Sequence, residues 1–373
     1  MNIQMVDLLG QYEKIKIEID AQISEVIQST IFVKGGKVTE FEENLRKYLN
    51  VGHVIACGNG TDALQIALMS LRLKEGDEVI TTPFTFVSTL EVLSLMKLKP
   101  VLADVNPDSF NIRPELVAKC ITAKTKAIIP VHLYGQCADM ESINAIASQY
   151  HLYVIEDACQ ALGTDYIYKD GHTAKAGTIG DIASNSFFPT KNLGAFGDGG
   201  ALFTNNDELA KQMRSIANHG MGQRYYYQQI GMNSRLDAIQ AAILDVKLNY
   251  LDQYVKARQT AAGYYDRELS GIQEISIPAR VSYSTHTFHQ YTIKVHQKRD
   301  DLQKFLHSRG IPSMIYYPLS LHLQEAYQYL GYKKGDFPIS EDLSQQVLSL
   351  PMHTELTVEQ ILNITTAIRE FFS

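Results

Sequence analysis

The residue in this sequence best placed for covalent chemistry is a lysine between an aromatic strand end and a glycine-rich segment. Lys191 stands in the run Ser184-Asn185-Ser186-Phe187-Phe188-Pro189-Thr190-Lys191-Asn192-Leu193-Gly194-Ala195-Phe196-Gly197-Asp198-Gly199-Gly200. There its amine is expected to be partly desolvated and reactive toward a carbonyl. A lone lysine is ordinarily a solvated surface charge, so the weight of the reading falls on its company. Ser186 lies on the turn leading into it.

Two other clusters supply that company. Cys57-Gly58-Asn59-Gly60-Thr61-Asp62-Ala63-Leu64 reads as a small-residue turn leaving a strand and opening a helix. Unpaired amides at a helix start, beside a hydroxyl, suit an anionic group such as a phosphate. The run has neither the GK[ST] of a Walker A loop nor the dinucleotide GxGxxG, and taken alone it is equally a well-capped turn. In Val154-Ile155-Glu156-Asp157-Ala158-Cys159-Gln160 an aspartate directly follows a buried strand. Such a carboxylate needs a cation or several donors. A protonated heteroaromatic nitrogen or a nearby Arg would serve, with Gln160 available to a neighbouring ring oxygen; alone, Asp157 is equally a loop cap.

Together, a phosphate cradle at Gly60, Thr61, Asp62 and Ser186, a strand-end Asp157 and Lys191 are the parts that pyridoxal 5′-phosphate requires. The lysine would form the Schiff base, and the aspartate would keep the pyridine nitrogen protonated. With no Trp in the chain, an aromatic cover for the ring falls to Thr82-Pro83-Phe84-Thr85-Phe86-Val87-Ser88-Thr89, where Phe86 is the first choice and Phe84 the reserve.

These residues need elements that converge. From His53 onward, short β-branched runs alternate with helical ones: strands at His53–Cys57, Glu78–Thr81, Val101–Asp104, Lys126–Val131 and Tyr153–Glu156, with helices between them. The alternation predicts an α/β fold with a mostly parallel central sheet flanked by helices. Ligands collect beyond the carboxyl ends of such strands, where the clusters above lie. An amphipathic helix precedes this region (Val6 to Ser29) and a second runs from Glu40 to Leu49. Past Asn233 the pattern is helical to Leu269, then strand-like from Tyr283 to Val295, then helical at Asp300–Ser308 and Thr357–Phe372, with a surface turn at Gly335–Pro338. A length of 373 residues suits two units, a large one at 1–247 and a smaller C-terminal α+β one at 248–373.

Composition closes off other classes. Hydrophobic residues at 45% and charged residues at 20% describe a globular chain, not a disordered one. A net charge of −7 offers no global basic field for nucleic acid. No apolar stretch is long enough for a membrane span or a secretory leader, so a soluble cytoplasmic protein is expected. Cys57, Cys120, Cys137 and Cys159 form no CxxC pair and read as small buried hydrophobes, with no metal site.

The ordered motifs GNGTDAL, TTPFTFVST, VIEDACQA, SFFPTKNLGAFGDGGA and IGMNSRLDAIQAAIL resemble the DegT/DnrJ/EryC1/StrS family of nucleotide-sugar aminotransferases over essentially the whole chain. The resemblance implies fold type I of the pyridoxal-phosphate-dependent transferases. It also implies that Lys191 is the Schiff-base lysine, Asp157 the partner of the pyridine nitrogen, Gln160 the contact to the ring hydroxyl and Phe86 the stacking aromatic. Asn233 would reach the phosphate of a neighbouring subunit, giving a homodimer with shared active sites. Arg235 matches a substrate-contacting arginine of sugar-acid members, and Tyr316, Tyr317 and His322 fall in segments near the sugar and nucleotide. At Tyr316, relatives acting on uronic acids show His, so this chain departs from them; tyrosine also suits a 6-deoxyhexose. Because Lys191 is not replaced by His, amine transfer is implied rather than dehydration. The expected reaction moves the amino group of L-glutamate to a keto sugar on UDP or dTDP, at C3 in preference to C4, for amino-sugar and cell-surface polysaccharide (lipopolysaccharide) synthesis. A 4-aminotransferase and a non-catalytic regulatory protein on the same fold are the alternatives.

Overall fold

The computed structural model describes residues 3–373. Its centre is a seven-stranded sheet in the order His53–Cys57, Gly200–Thr204, Ile182–Ser186, Tyr153–Asp157, Thr125–Ile128, Glu78–Thr81, Lys99–Leu102. Gly200–Thr204 pairs antiparallel with both its neighbours, and the other strands run in one direction. Period-two alternation sets successive side chains on opposite, buried faces: along His53–Cys57, Val54 and Ala56 pack into one layer while Ile55 and Cys57 pack into the other. Helices on both faces bury the two layers, among them Gly36–Leu49, Gly60–Ser70 and Ala238–Leu248.

A second core gathers Tyr265, Tyr291, Ile293, Leu302, Leu348 and Ile364 around the three-stranded antiparallel sheet of Ile275–Ser276, Tyr291–Val295 and Val347–Leu350. Ile3, from the beginning of the chain, joins it. The helix Leu251–Leu269 belongs to both cores: Leu251 and Val255 pack with the large sheet's layer, Ala261, Tyr265 and Leu269 with the smaller one. Among the described residues no helix is long and apolar enough to cross a membrane.

Several elements differ from the sequence pattern. The helical run after Asn233 is two helices, Ala238–Leu248 and Leu251–Leu269, separated at Asn249 and Tyr250. The expected strand from Tyr283 forms only at Tyr291–Val295. Residues 283–290 instead make single bridges, His286 to Gln136 and Ser284 to Tyr166 of the short strand Asp165–Ile167, so their alternation records isolated contacts rather than a ladder. The turn at Gly335 runs into an unforeseen helix, Pro338–Gln346, with proline at its first turn, followed by the unforeseen strand Val347–Leu350.

Candidate active site

Four strand ends, Cys57, Thr81, Asp157 and Ser186, open onto one side of the sheet, and the loops leaving them enclose a cavity of about 400 Å³. Its walls include Asn59, Gly60, Thr61, Phe86, Asp157, Gln160, Ser186, Lys191, Tyr316 and Tyr317. Most of the residues singled out by spacing are therefore brought together.

Lys191 projects from a loop closed at its base. Ser186 pairs with Gly200, the amide of Ala195 donates to the carbonyl of Phe187 at 2.8 Å, and the Lys191 amide donates to that of Phe188 at 2.8 Å. Gly194 is needed here because a Cβ would strike the Pro189 carbonyl. Asn192 ties the loop to the Leu162 carbonyl at 3.1 Å, and the buried Lys247 amine donates to the Gly194 carbonyl at 2.5 Å. The Lys191 side chain keeps partial contact with the cavity, yet its amine is surrounded by protein. Desolvation lowers its pKa below the usual lysine value, and the nearby Cys159 and Asp157 only partly oppose this.

Asp157 is buried at the floor. Its Oδ2 accepts from Thr89 Oγ1 at 3.0 Å and its Oδ1 from the Cys159 amide at 3.3 Å. Gln160 is held by the Tyr134 amide, which donates to its Oε1 at 2.8 Å, while its Nε2 donates to Tyr317 Oη at 3.3 Å. Burial raises the Tyr317 hydroxyl above the ordinary tyrosine value, so it stays a proton donor.

The anion cradle follows from helix capping. Asn59 Oδ1 accepts from the Asp62 amide at 2.8 Å, leaving the amides of Gly60 and Thr61 at the helix start without carbonyls of their own turn. A Cβ on Gly60 would lie 2.8 Å from Cβ of Ser186, so glycine keeps the space between them open. Thr61 Oγ1 and Ser88 Oγ are 2.7 Å apart beside it. A phosphate at Gly60, Thr61 and Ser186, a ring over Asp157 and an aldehyde at Lys191 match this donor set, so the residues present fit pyridoxal 5′-phosphate.

Two expected contacts, Asp62 and His322, are corrected, and two more residues lie outside the chain's own cavity. The Asp62 side chain turns away from the cavity to accept from Ser234 Oγ at 2.6 Å, and its amide is spent on Asn59; a second carboxylate beside a phosphate would repel it. His322 is buried away from the cavity, its Nδ1 2.9 Å from Ser320 Oγ and its Nε2 3.1 Å from Glu341 Oε1, with Phe337 edge-on to its ring. Its role is packing. Arg235 is exposed and lines a different cleft, of about 580 Å³, together with Lys34, Lys211 and Arg214. Asn233 is exposed as well and lies outside the chain's own cavity.

Phe86 lines the cavity at 53% exposure, whereas Phe84, at 1%, packs between Phe110 and Tyr317 with ring centroids 6.3 and 6.2 Å away. Sequence reasoning missed Thr89 and Tyr134, and it gave His289 no role of its own. Thr89 lay within a motif already singled out. His289 lines the cavity with Nδ1 buried and unpartnered, and burial, Lys191 and Arg258 keep its pKa well below the usual histidine value.

A desolvated lysine, an aspartate at a strand end and an anion cradle within one cavity define a carbonyl-and-amine chemistry of the transaminase type. The profile of the DegT/DnrJ/EryC1/StrS aminotransferase family matches residues 13–369, and the chain belongs to that family. It is 48% identical over 100% of its length, and 99% of the relative's, to a pleiotropic regulatory protein of Geobacillus stearothermophilus. It is 42% identical, covering 98% of this chain and 99% of the relative, to the UDP-2-acetamido-2-deoxy-3-oxo-D-glucuronate aminotransferase of Pseudomonas aeruginosa. Among solved structures, Streptomyces venezuelae DesV in complex with a ketimine intermediate superposes with a TM-score of 0.96 at 36% identity, over 100% of this chain and 99% of that one.

Proposed function

We propose that this protein is a pyridoxal-phosphate-dependent transaminase that moves the amino group of L-glutamate onto the C3 ketone of a UDP- or dTDP-linked sugar, supplying an amino sugar for a cell-surface polysaccharide. The observation that carries the reading is the single cavity in which the desolvated Lys191 amine meets Asp157 and the Gly60–Thr61–Ser186 cradle. Bound there, the cofactor supplies an electron sink for the carbon that loses its proton.

The chain's own residues do the rest. The lowered pKa of Lys191 leaves a larger share of its amine unprotonated at neutral pH, so Nζ can take a proton from substrate carbon and return it to the carbon on the other side of the transferred nitrogen. Asp157, with Thr89 and the Cys159 amide fixing its carboxylate, holds the proton on the ring nitrogen. Gln160 and Phe86 orient the ring. Tyr316 and Tyr317 line the same cavity, and we read them as the residues that meet the sugar.

The cavity contains no cation other than Lys191 among its lining residues, whereas a nucleotide diphosphate calls for several. Arg235, Lys34, Lys211 and Arg214 line a separate cleft, and the exposed Asn233 lies two residues before Arg235. We therefore read Asn233 and Arg235 as arms offered to the site of a second copy, in a cytoplasmic homodimer. The division into units at 1–247 and 248–373 belongs to the same reading, although Leu251 and Val255 beyond it pack with the large core and Ile3 before it packs with the small one.

The test is a half-reaction. The cofactor-loaded protein mixed with L-glutamate is expected to lose its visible absorbance band and release 2-oxoglutarate, then to aminate members of a panel of UDP- and dTDP-3-keto and 4-keto sugars. Lys191→Ala is expected to abolish both. The name of the Geobacillus relative keeps a regulatory role as the second reading, and absence of any glutamate-dependent spectral change would favour it.

A further inference from the structure

Behind Asp157, on the other face of its strand, lies a hydrogen-bonded histidine–carboxylate pair that takes no part in lining the cavity. Glu156 and His132 are both completely buried, with His132 Nε2 2.8 Å from Glu156 Oε2. Glu156 accepts more than that one bond: the Gly177 amide donates to Oε2 at 2.8 Å, and the amides of Ile179 and Gly180 donate to Oε1 at 2.6 Å each. The Ala138 amide donates to His132 Nδ1 at 3.1 Å, so the ring proton sits on Nε2 and is given to Glu156.

The backbone carries this pair to the site. The His132 amide donates to the Asp157 carbonyl at 3.0 Å, and the Asp157 amide donates to the Pro130 carbonyl at 2.9 Å, which pairs Val131 in parallel with Asp157. Two residues beyond His132, the Tyr134 amide holds Gln160. On the other side, the segment fixed by Gly177, Ile179 and Gly180 feeds the strand that ends at Ser186. One carboxylate thus pins three segments, each of which delivers a residue to the cavity.

Stability alone does not call for the arrangement, because replacing both partners of a buried hydrogen bond by apolar groups of the same shape can be nearly neutral. Its value lies in direction, since hydrogen bonds fix orientation where apolar contacts slide. We propose that Glu156 and His132 are positioning residues for Asp157, holding its main chain so that its carboxylate meets the ring nitrogen of the cofactor. The inference rests on the assignment of Asp157 as that nitrogen's partner.

The experiment compares two ligands on the apoprotein: pyridoxal 5′-phosphate, and its carbocyclic analogue in which C–H replaces the ring nitrogen. Dissociation constants are measured by absorbance titration for wild type, His132→Leu, His132→Gln and Asp157→Asn. His132→Leu breaks the link while leaving Glu156 its three amides. It is expected to weaken pyridoxal phosphate on the order of tenfold, the size of a charge-assisted hydrogen bond, and to leave the analogue within about twofold. His132→Gln, whose amide can still donate to Glu156, is expected to recover most of the loss. Equal weakening of both ligands, or of neither, overturns the proposal. Should His132→Leu fail to fold, His132→Asn, too short to reach Glu156, makes the same comparison. Asp157→Asn reports separately: if it leaves the preference for the nitrogen-containing ligand intact, the assignment of Asp157 itself is wrong.

Discussion

Replacing Lys247 by methionine is expected to change how the stability of this protein depends on pH. The Lys247 side chain, on the helix Ala238–Leu248, is 1% exposed. Its amine donates to the Gly194 carbonyl, lies 5.4 Å from the Phe196 ring centroid, and forms no ion pair with a carboxylate among the described residues. Burial, with a contribution from Arg258, lowers its pKa from 10.5 to about 8. A shift of about 2.5 units corresponds to about 3 kcal/mol of preference for the unprotonated amine in the folded chain. The sign follows from proton counts. Between pH 8 and 10.5 the unfolded lysine keeps a proton that the folded one has released, so this group adds stability as pH rises and adds no slope below pH 8. Methionine, unbranched and of similar length, does not titrate. Denaturant unfolding of wild type and Lys247→Met at pH 7 and pH 10 should therefore show the variant losing up to about 3 kcal/mol relative to wild type over that interval. All other titrating groups are common to both proteins and cancel in the difference. An identical stability difference at the two pH values would refute the reasoning.

The two phenylalanines of the loop after Glu78–Thr81 should separate cleanly. Phe84→Ala empties a packed site and is expected to lose about 3–5 kcal/mol of unfolding free energy, whereas Phe86→Ala should stay within about 0.5 kcal/mol while weakening cofactor binding. Urea titrations and cofactor titrations distinguish the two. Gly60→Ala would place its methyl 2.8 Å from Ser186 Cβ and narrow the anion cradle. Its expected outcome is a cofactor dissociation constant raised on the order of tenfold, about 1.4 kcal/mol, with inorganic phosphate competing less well in the same titration.

Five strands of the large sheet were legible because they are short, β-branched and separated by helices; Gly200–Thr204, joined to Ile182–Ser186 by a loop and not a helix, was not. His53–Cys57, Glu78–Thr81 and the helix Met140–Tyr150 fall where the sequence pattern places them. The residues at strand ends were legible for a related reason: Lys191, Asp157, Gly60 and Ser186 sit beside glycines, small residues or buried runs that mark where strands stop. What the sequence hid depends on contacts between distant segments. Asp62 looked like part of a phosphate turn, but Ser234, far along the chain, captures its carboxylate. His322 looked like a ligand contact because its polar partner, Glu341, lies in a helix that periodicity did not announce. The stretch from Tyr283 alternates as a strand does, yet before Tyr291 it makes only single bridges to distant segments, which no local pattern records. Thr89 is a hydroxyl in a helix until Asp157 is seen beside it.

The loop that carries Lys191 begins at Ser186 and ends at Gly200, residues that are themselves cross-strand neighbours. Its circumference is consequently set by the sheet and by the Ala195–Phe187 clasp, not by solvent or by whatever molecule enters. An insertion or deletion between those residues would carry the amine off its mark even with every side chain retained. Within the part of the loop between Phe187 and Ala195, change that keeps the amine in place is therefore confined to exchanging one side chain for another.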